Sequence, residues 1–403
     1  MIQTVNVYFN HFNNKLFVGK LALKNRKIYF EYDSSFIEKN IQLSPYILPL
    51  KKELQVCNDN IFDGLFGVFA DSLPDGWGRL LIDRHLMSKG INLGAITQLD
   101  RLCYVGKYGI GALSYEPIYE EIKSFKDEII LDDLANSSLD ILSGHSYKLV
   151  DTLLAMQGSS AGARPKIMAQ IDNQNNILQG NQALKDDFEH YIIKFPNSND
   201  SLNIGKIEYI YSLMAQKANI EMSQTKLLKG EKNSYFAIKR FDRQKDKRVH
   251  IHSVAGLVHS DFRVPTLDYD DLLTLCFNLT KDINEVIKLY KVAVFNLFTH
   301  NKDDHAKNFS FMLDINNSWK LTPAYDLTFS YGVGTEHSTT YLNEGKNPTI
   351  KHLEKLAQKH NIKEYKNIID EIKSAISEFS NLAIEFELPK DELRSLVKVF
   401  KKN

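Results

Sequence analysis

The stretch FTHNKDDHAKNFSFML, residues 298–313, sets two histidines, two lysines and two adjacent aspartates between apolar flanks. Residues of these types are ordinarily solvated, yet KVAVFNLF before them and FSFML after them read as buried segments. Three readings compete: a metal site built from the histidines and aspartates, a catalytic loop, and a polar turn with no special chemistry. The choice depends on what the rest of the chain can bring to this loop.

Within it, Asp303 and Asn308 stand at the D-x-x-x-x-N spacing that kinases use between a catalytic aspartate and a magnesium-binding asparagine. A turn of that length can cross a substrate hydroxyl with its first carboxylate. It can then return toward the phosphates with an amide carbonyl, a ligand that suits a hard cation. Lys307 stands where its charge can offset that of a transferring phosphoryl group. The spacing by itself is common by chance.

Three other places answer the loop. Asp326, in LTPAYDLTFS, follows an apolar strand, so its carboxylate can reach a magnesium ion from the side opposite Asn308; the alternative is an aspartate capping a turn before Thr328. Lys194 lies in mid-strand in YIIKFP, where burying a charge is costly unless it is paired. Glu208, near the start of the amphipathic helix in GKIEYIYSLMAQKANI, is its candidate partner, against the alternative of a sheet-edge lysine in solvent. GSSAGARPK, residues 158–166, matches neither the P-loop nor the kinase glycine-loop pattern. Its small residues nevertheless let backbone N–H groups approach anions, Arg164 and Lys166 add charge, and Ser159 and Ser160 are candidate phosphate acceptors.

The chain around these sites is large enough for more than one lobe. Its 403 residues exceed the roughly 250–300 at which single cores stop growing. Lys+Arg and Asp+Glu balance at 50 each, which argues against a chain whose main work is neutralising nucleic-acid phosphates. Cys57, Cys103 and Cys276 are few and far apart, fitting a reducing compartment and neither a disulfide framework nor a structural zinc site. The N-terminus alternates like a strand and carries no leader pattern, and no apolar run approaches the ~18 residues of a membrane span. A cytoplasmic protein without membrane attachment is expected.

Residues 1–35 read as alternating strands, VNVYF, KLFVGKLAL and KIYFEY. A Pro-Asp-Gly turn then leads into an amphipathic helix from Trp77, and CYVGKYGIGALSYEP adds strand character that closes the first unit near residue 118. The Lys/Glu-rich residues 119–135 read as a solvated linker or exposed helix. Residues 136–157 have helical spacing and stop at Gly158. Strands follow in KIMAQI, HYIIKFP and YFAIKRFD, and beyond about residue 268 the pattern turns helical. The order is glycine-containing loop, strand, strand with a lysine, helix with a glutamate, strand.

FADSLPDGWGRLLIDR, SSAGARPK, YIIKFP, AIKRFDR, HNKDDHAKNFSF and LTPAYDLTFS, in that order, resemble the HipA-like serine/threonine kinases of bacterial toxin–antitoxin modules. The likeness runs from about residue 60 to 350, and HNKDDHAKN with PAYDLTFS carries most of its specificity. It implies an α+β, two-lobed kinase-like fold. Residues 1–118 would form an N-terminal β subdomain, 119–243 a kinase N-lobe with the nucleotide loop, and 244–403 a helical C-lobe with the catalytic loop. It further implies ATP and Mg²⁺ as cofactors, Asp303 as general base, and Asn308 and Asp326 as magnesium ligands. Lys194 becomes the phosphate-contacting lysine, oriented by Glu208, and Ala161, Gly162, Ala163, Arg164, Pro165 and Lys166 the nucleotide loop. Lys239, Arg240 and Phe241 fall where the hinge meets adenine, while His305, Ala306, Lys307 and Asn308, with Tyr325 beside Asp326, line the nucleotide site. Ser159 or Ser160 would be the autophosphorylated residue. The implied partners are a protein substrate such as an aminoacyl-tRNA synthetase and a helix-turn-helix antitoxin, which would itself read the DNA.

Two alternatives remain at this stage. A metal-dependent hydrolase would use His300, Asp303, Asp304 and His305 as ligands, but no supporting ligand spacing occurs elsewhere. A kinase-fold binding module would keep the architecture and lose the chemistry. The joint presence of Lys194, Asp303, Asn308 and Asp326 argues against the second, because folding alone requires none of them.

Overall fold

The structure is a computed structural model, described here for residues 2–12, 14–119, 129–144, 150–157 and 162–400. Its first layer is a seven-stranded sheet. The strands Thr4–His11, Asn14–Lys24 and Lys27–Tyr32 form an antiparallel meander, as their alternation predicts, with Val5, Val7 and Phe9 directed into the core. Leu113–Glu116 pairs with the first strand on one side, and the short strand Lys247–Arg248 joins it in parallel. The expected strand character of CYVG is absent, because residues 103–105 end the helix Gln98–Val105. A capping box between Thr97 and Asp100 nucleates that helix and overrides the β preference of Cys-Tyr-Val.

A second sheet has five strands, all antiparallel, in the order Ile177–Gln179, Lys166–Ile171, Glu189–Lys194, Ser234–Lys239, Thr225–Lys229. Its two faces differ. Ile167, Ala169, Ile171, Tyr191, Ile193, Tyr235 and Ala237 pack against Trp77 and the helices Leu131–Leu142 and Val150–Gln157. The alternate positions turn the other way, so period-2 geometry puts Ile192, Lys194, Ile238 and Lys166 on the opposite face, where a cavity lies. The Lys/Glu-rich stretch expected as linker falls largely outside the described residues, and its last five residues open the helix Leu131–Leu142.

The helix Ile204–Lys217 packs against Ser234–Lys239, and the remaining chain is mainly helical: Tyr269–Thr280, Ile283–Thr299, Ile350–Lys359, Tyr365–Ser377, Phe379–Glu385 and Lys390–Phe400. Ile283–Thr299 is buried at every position from Val292 to Thr299, which explains why that half of its sequence is almost wholly apolar, whereas the first half carries Asn284, Glu285, Lys288 and Lys291 and keeps a partly exposed face. It starts at an Asp282 N-cap and ends at His300 in a left-handed conformation, so the polar loop is delivered from a fixed rod. The N-terminal unit is closely joined to this part. A Cβ on Gly67 would lie 2.1 Å from the Gly256 carbonyl oxygen, so the helix Val254–Val258 docks backbone against backbone and any side chain there would force it away. No helix among the described residues is long and apolar enough to cross a membrane.

Candidate active site

A cavity of about 700 Å³ opens between the five-stranded sheet, the polar loop and the N-terminal unit. Strand register builds one wall. Lys194 is paired with both Lys166 and Phe236 on its neighbouring strands, and Ile192 with Ile238, so a cationic row and an apolar row lie side by side on one face. Such a surface can hold a ligand that is anionic at one end and flat and apolar at the other.

Lys194 is on the central strand and only 10% exposed, which excludes a solvated edge lysine. It is ion-paired to Glu208 at 3.3 Å and, more closely, to Asp326. Burial would suppress the ammonium charge, but Asp326 and Glu208 outweigh it and hold Lys194 above its ordinary pKa. Burial would likewise raise Asp326, yet Lys194 and Lys166 drive it well below the usual carboxylate range. Lys166, buried beside them, is lowered by desolvation. Asp326 has φ of 53°, in the left-handed region that aspartate tolerates better than most residues, and Asn301 donates to its carbonyl at 3.3 Å. One oxygen of its side chain bonds Lys194 and none bonds the Thr328 hydroxyl, so the turn-capping alternative fails.

Arg164 extends this network. Its guanidinium makes a two-pronged contact with Asp200, at 2.9 and 3.1 Å, and reaches the same Glu208 oxygen as Lys194 at 2.9 Å. Gly162, Ala163, Arg164 and Lys166 line the cavity, whereas Pro165 is buried behind it with its carbonyl accepting from Phe195. Ser159, Ser160 and Ala161 lie outside the described residues.

The polar loop separates its two aspartates by environment. Asp304 is fully buried and accepts from Tyr269 at 2.9 Å, from His337 at 3.0 Å and from the Thr339 backbone N–H at 3.2 Å. Asp303 faces the cavity with its side chain 59% exposed, and His305 Nε2 lies 4.0 Å away. The removal of water by the surrounding walls, and secondarily the charge of Asp326, raise its pKa. The Asn308 amide nitrogen donates to the Asp303 carbonyl at 2.7 Å, which turns the amide oxygen away from that bond. Lys307 is ion-paired to Asp75 at 2.5 Å and sits 4.3 Å above the Phe262 ring. Ala306 is buried in the core and takes no part in the cavity wall.

At the far end, Phe241 lies 5.5 Å from the Tyr325 ring, whose hydroxyl bonds Ser310 and the Lys307 carbonyl. Lys239 pairs with Glu189 at 3.0 Å, and Arg240 is held by Asp242, so both cations on this side are already neutralised. The sequence reading missed Asp75, Asp200 and Phe262. Asp75 was hidden in a Pro-Asp-Gly turn, Asp200 in a run of Asn, Ser and Asp, and Phe262 had no local signal at all.

Two metal-centre readings fare poorly. Asp304 is turned away from His300, Asp303 and His305, and these four form no ligand cluster among the described residues. Cys57, Asp59 and His259 do cluster, but Gly67 donates its N–H to His259 Nε2 at 2.8 Å while Nδ1 bonds Asp59. A metal on Nδ1 would require a proton on Nε2, facing the Gly67 N–H. By contrast, Asp326 and the Asn308 amide oxygen are hard donors on one cavity, a sparse set of the kind magnesium accepts.

Comparison with known proteins agrees with this architecture. Residues 9–116 match the HipA N-terminal domain and residues 158–379 the HipA-like C-terminal domain. The fold is similar to HipA in the Shewanella oneidensis complex of HipA, HipB and operator DNA, with TM-score 0.69 and 16% identity over 98% of this chain and 95% of that one. The Helicobacter pylori proinflammatory kinase CtkA is a more distant likeness, with TM-score 0.41 and 14% identity over 58% of this chain and 91% of that one; no conclusion rests on it. Among curated proteins, Y4mE of Sinorhizobium fredii, whose kinase assignment is itself provisional, is 25% identical over 191 residues. That match spans 42% of this chain and 41% of the relative. The α+β, two-lobed, kinase-like architecture is therefore the one the sequence led us to expect, and the chain belongs to the HipA family.

Proposed function

We propose that this chain is an ATP- and Mg²⁺-dependent serine/threonine protein kinase, acting in the cytoplasm as the toxin of a toxin–antitoxin module. One observation carries the reading: Lys194, Glu208 and Asp326 form a connected ion-pair network on the same cavity that Asp303 and Asn308 face. Each buried or half-buried charge there costs folding energy and serves phosphate chemistry.

In this reading Lys166 and Lys194 attract the phosphates, Ile192 and Ile238 contact the base, and Phe241 with Tyr325 closes that end. Asp326 and Asn308 would hold the magnesium ion, whose charge supports the electron-rich phosphoryl oxygens when it is bound. Asp303 accepts a hydrogen bond from the substrate hydroxyl and takes its proton as the oxygen bonds to the γ-phosphorus, while the bond from that phosphorus to the β,γ-bridging oxygen breaks on the opposite side and ADP leaves. Its raised pKa suits that task, because a stronger base takes the proton more readily. Asp304 keeps the loop in place. The acceptor would be a translation protein such as an aminoacyl-tRNA synthetase, with autophosphorylation on Ser159 or Ser160. A HipB-like helix-turn-helix antitoxin would restrain the chain and carry the DNA contacts, in keeping with the balanced charge of 50 basic and 50 acidic residues.

Mass mapping after incubation with ATP and bacterial lysate tests this. Phosphate on serine or threonine of this chain or of a lysate protein is the expected result. Its complete absence would transfer the fold to a binding or regulatory module.

A further inference from the structure

Asp75 occupies the N-cap position of the helix Gly76–Ser88, yet its side chain makes no capping bond. Aspartate is among the best N-caps, so a carboxylate diverted from that use has been recruited elsewhere. One oxygen accepts from Lys307 Nζ at 2.5 Å and the other from the backbone N–H of Gly162. The Trp77 N–H donates to the Gly162 carbonyl at 3.2 Å, so the same turn grips Gly162 at both its amide and its carbonyl.

The grip is close. A Cβ on Gly76 would lie 2.6 Å from Ala163 Cα, and Gly162, at φ of 105°, would direct a Cβ to 2.5 Å from Lys166 Nζ. The N-terminal unit therefore sets the path of the described end of the loop at 162–166, and through Lys307 it also touches the polar loop. Asp75 is 22% exposed and Lys307 12%, and both line the cavity.

We propose that Asp75 is a positioning residue for phosphoryl transfer, fixing the Gly162 peptide and the Lys307 ammonium relative to one another; this rests on the kinase reading above. A carboxylate beside a phosphate site weakens electrostatic attraction for the nucleotide in the ground state. Its contribution must then come from geometry, and that distinguishes it from a merely structural residue. Removing the charge while keeping the shape lowers turnover without weakening ATP capture.

Asp75→Asn in the full chain, assayed with varied ATP, is the test. The expected result is a kcat reduced roughly tenfold to a hundredfold, with KM for ATP unchanged or lower and partial recovery in Asp75→Glu. An unchanged kcat, or a raised KM with kcat retained, overturns the proposal. If the wild-type chain transfers no phosphate, the kinase reading fails, and backbone hydrogen exchange over residues 162–166 decides the positioning claim on its own. Faster exchange in Asp75→Asn supports the grip, and unchanged exchange overturns it.

Discussion

Lys194 and Asp326, 132 residues apart in the chain, form an ion pair on the wall of a single cavity. The lysine comes from the central strand of the five-stranded sheet and the aspartate from a left-handed turn beyond the polar loop. Each holds the other charged against the desolvation of the site. Lys194→Met therefore leaves Asp326 and Glu208 without their shared cation. Phosphoryl transfer should fall roughly a hundredfold or more, as loss of a preorganised charge does elsewhere. Kinetics at saturating ATP check this, and near-normal turnover would show that Lys194 does not face the phosphates.

The adjacent aspartates should have opposite phenotypes. Asp304→Ala strands Tyr269, His337 and the Thr339 N–H inside the protein, and should cost about 3–5 kcal/mol of stability. Asp303→Ala removes a group that is 59% exposed, and should leave the unfolding midpoint within experimental scatter. Denaturant melts of the two variants decide it, and equal losses would contradict the separation of roles.

Acid should reveal Asp326 in a second way. Its folded pKa lies below the ordinary value of 3.8, so its ionisation stabilises the fold above that pH and the contribution fades as pH falls through the lower folded value. The thermal-midpoint advantage of wild type over Asp326→Asn should shrink below about pH 4. A gap independent of pH would contradict the ion pair.

Asp303 shifts in the other direction. Raised by desolvation first and by Asp326 second, it should place the acid limb of kcat/KM above pH 3.8, and Asp326→Asn should move that limb downward in any residual activity. A limb below 3.8 would count against Asp303 as the base.

The sequence made some of this legible because the relevant signals were local. Strand alternation in residues 4–32 and the apolar run at the end of the helix 283–299 survive in the fold, since burial of one face, or of every face from Val292 to Thr299, leaves a mark within a few residues. Asp303 was separable from Asp304 by its spacing to Asn308, and the Lys194–Glu208 pair by the cost of an unpaired buried lysine. The helix over residues 98–105 was missed because its capping box outweighs the β preference of the residues that follow. Asp75 and Asp200 were missed for a different reason. Their partners, Lys307 and Arg164, are 232 and 36 residues away, and nothing in a short turn reports on contacts at that range.

The most direct test follows γ-labelled ATP in wild type and in Asp303→Asn, with nucleotide affinity measured on the same preparations. The account predicts label on serine or threonine with wild type, transfer reduced ~10²–10⁴-fold in the variant, and nearly equal ATP affinity in both. Undiminished transfer by Asp303→Asn, or no transfer by wild type despite bound ATP, would contradict it.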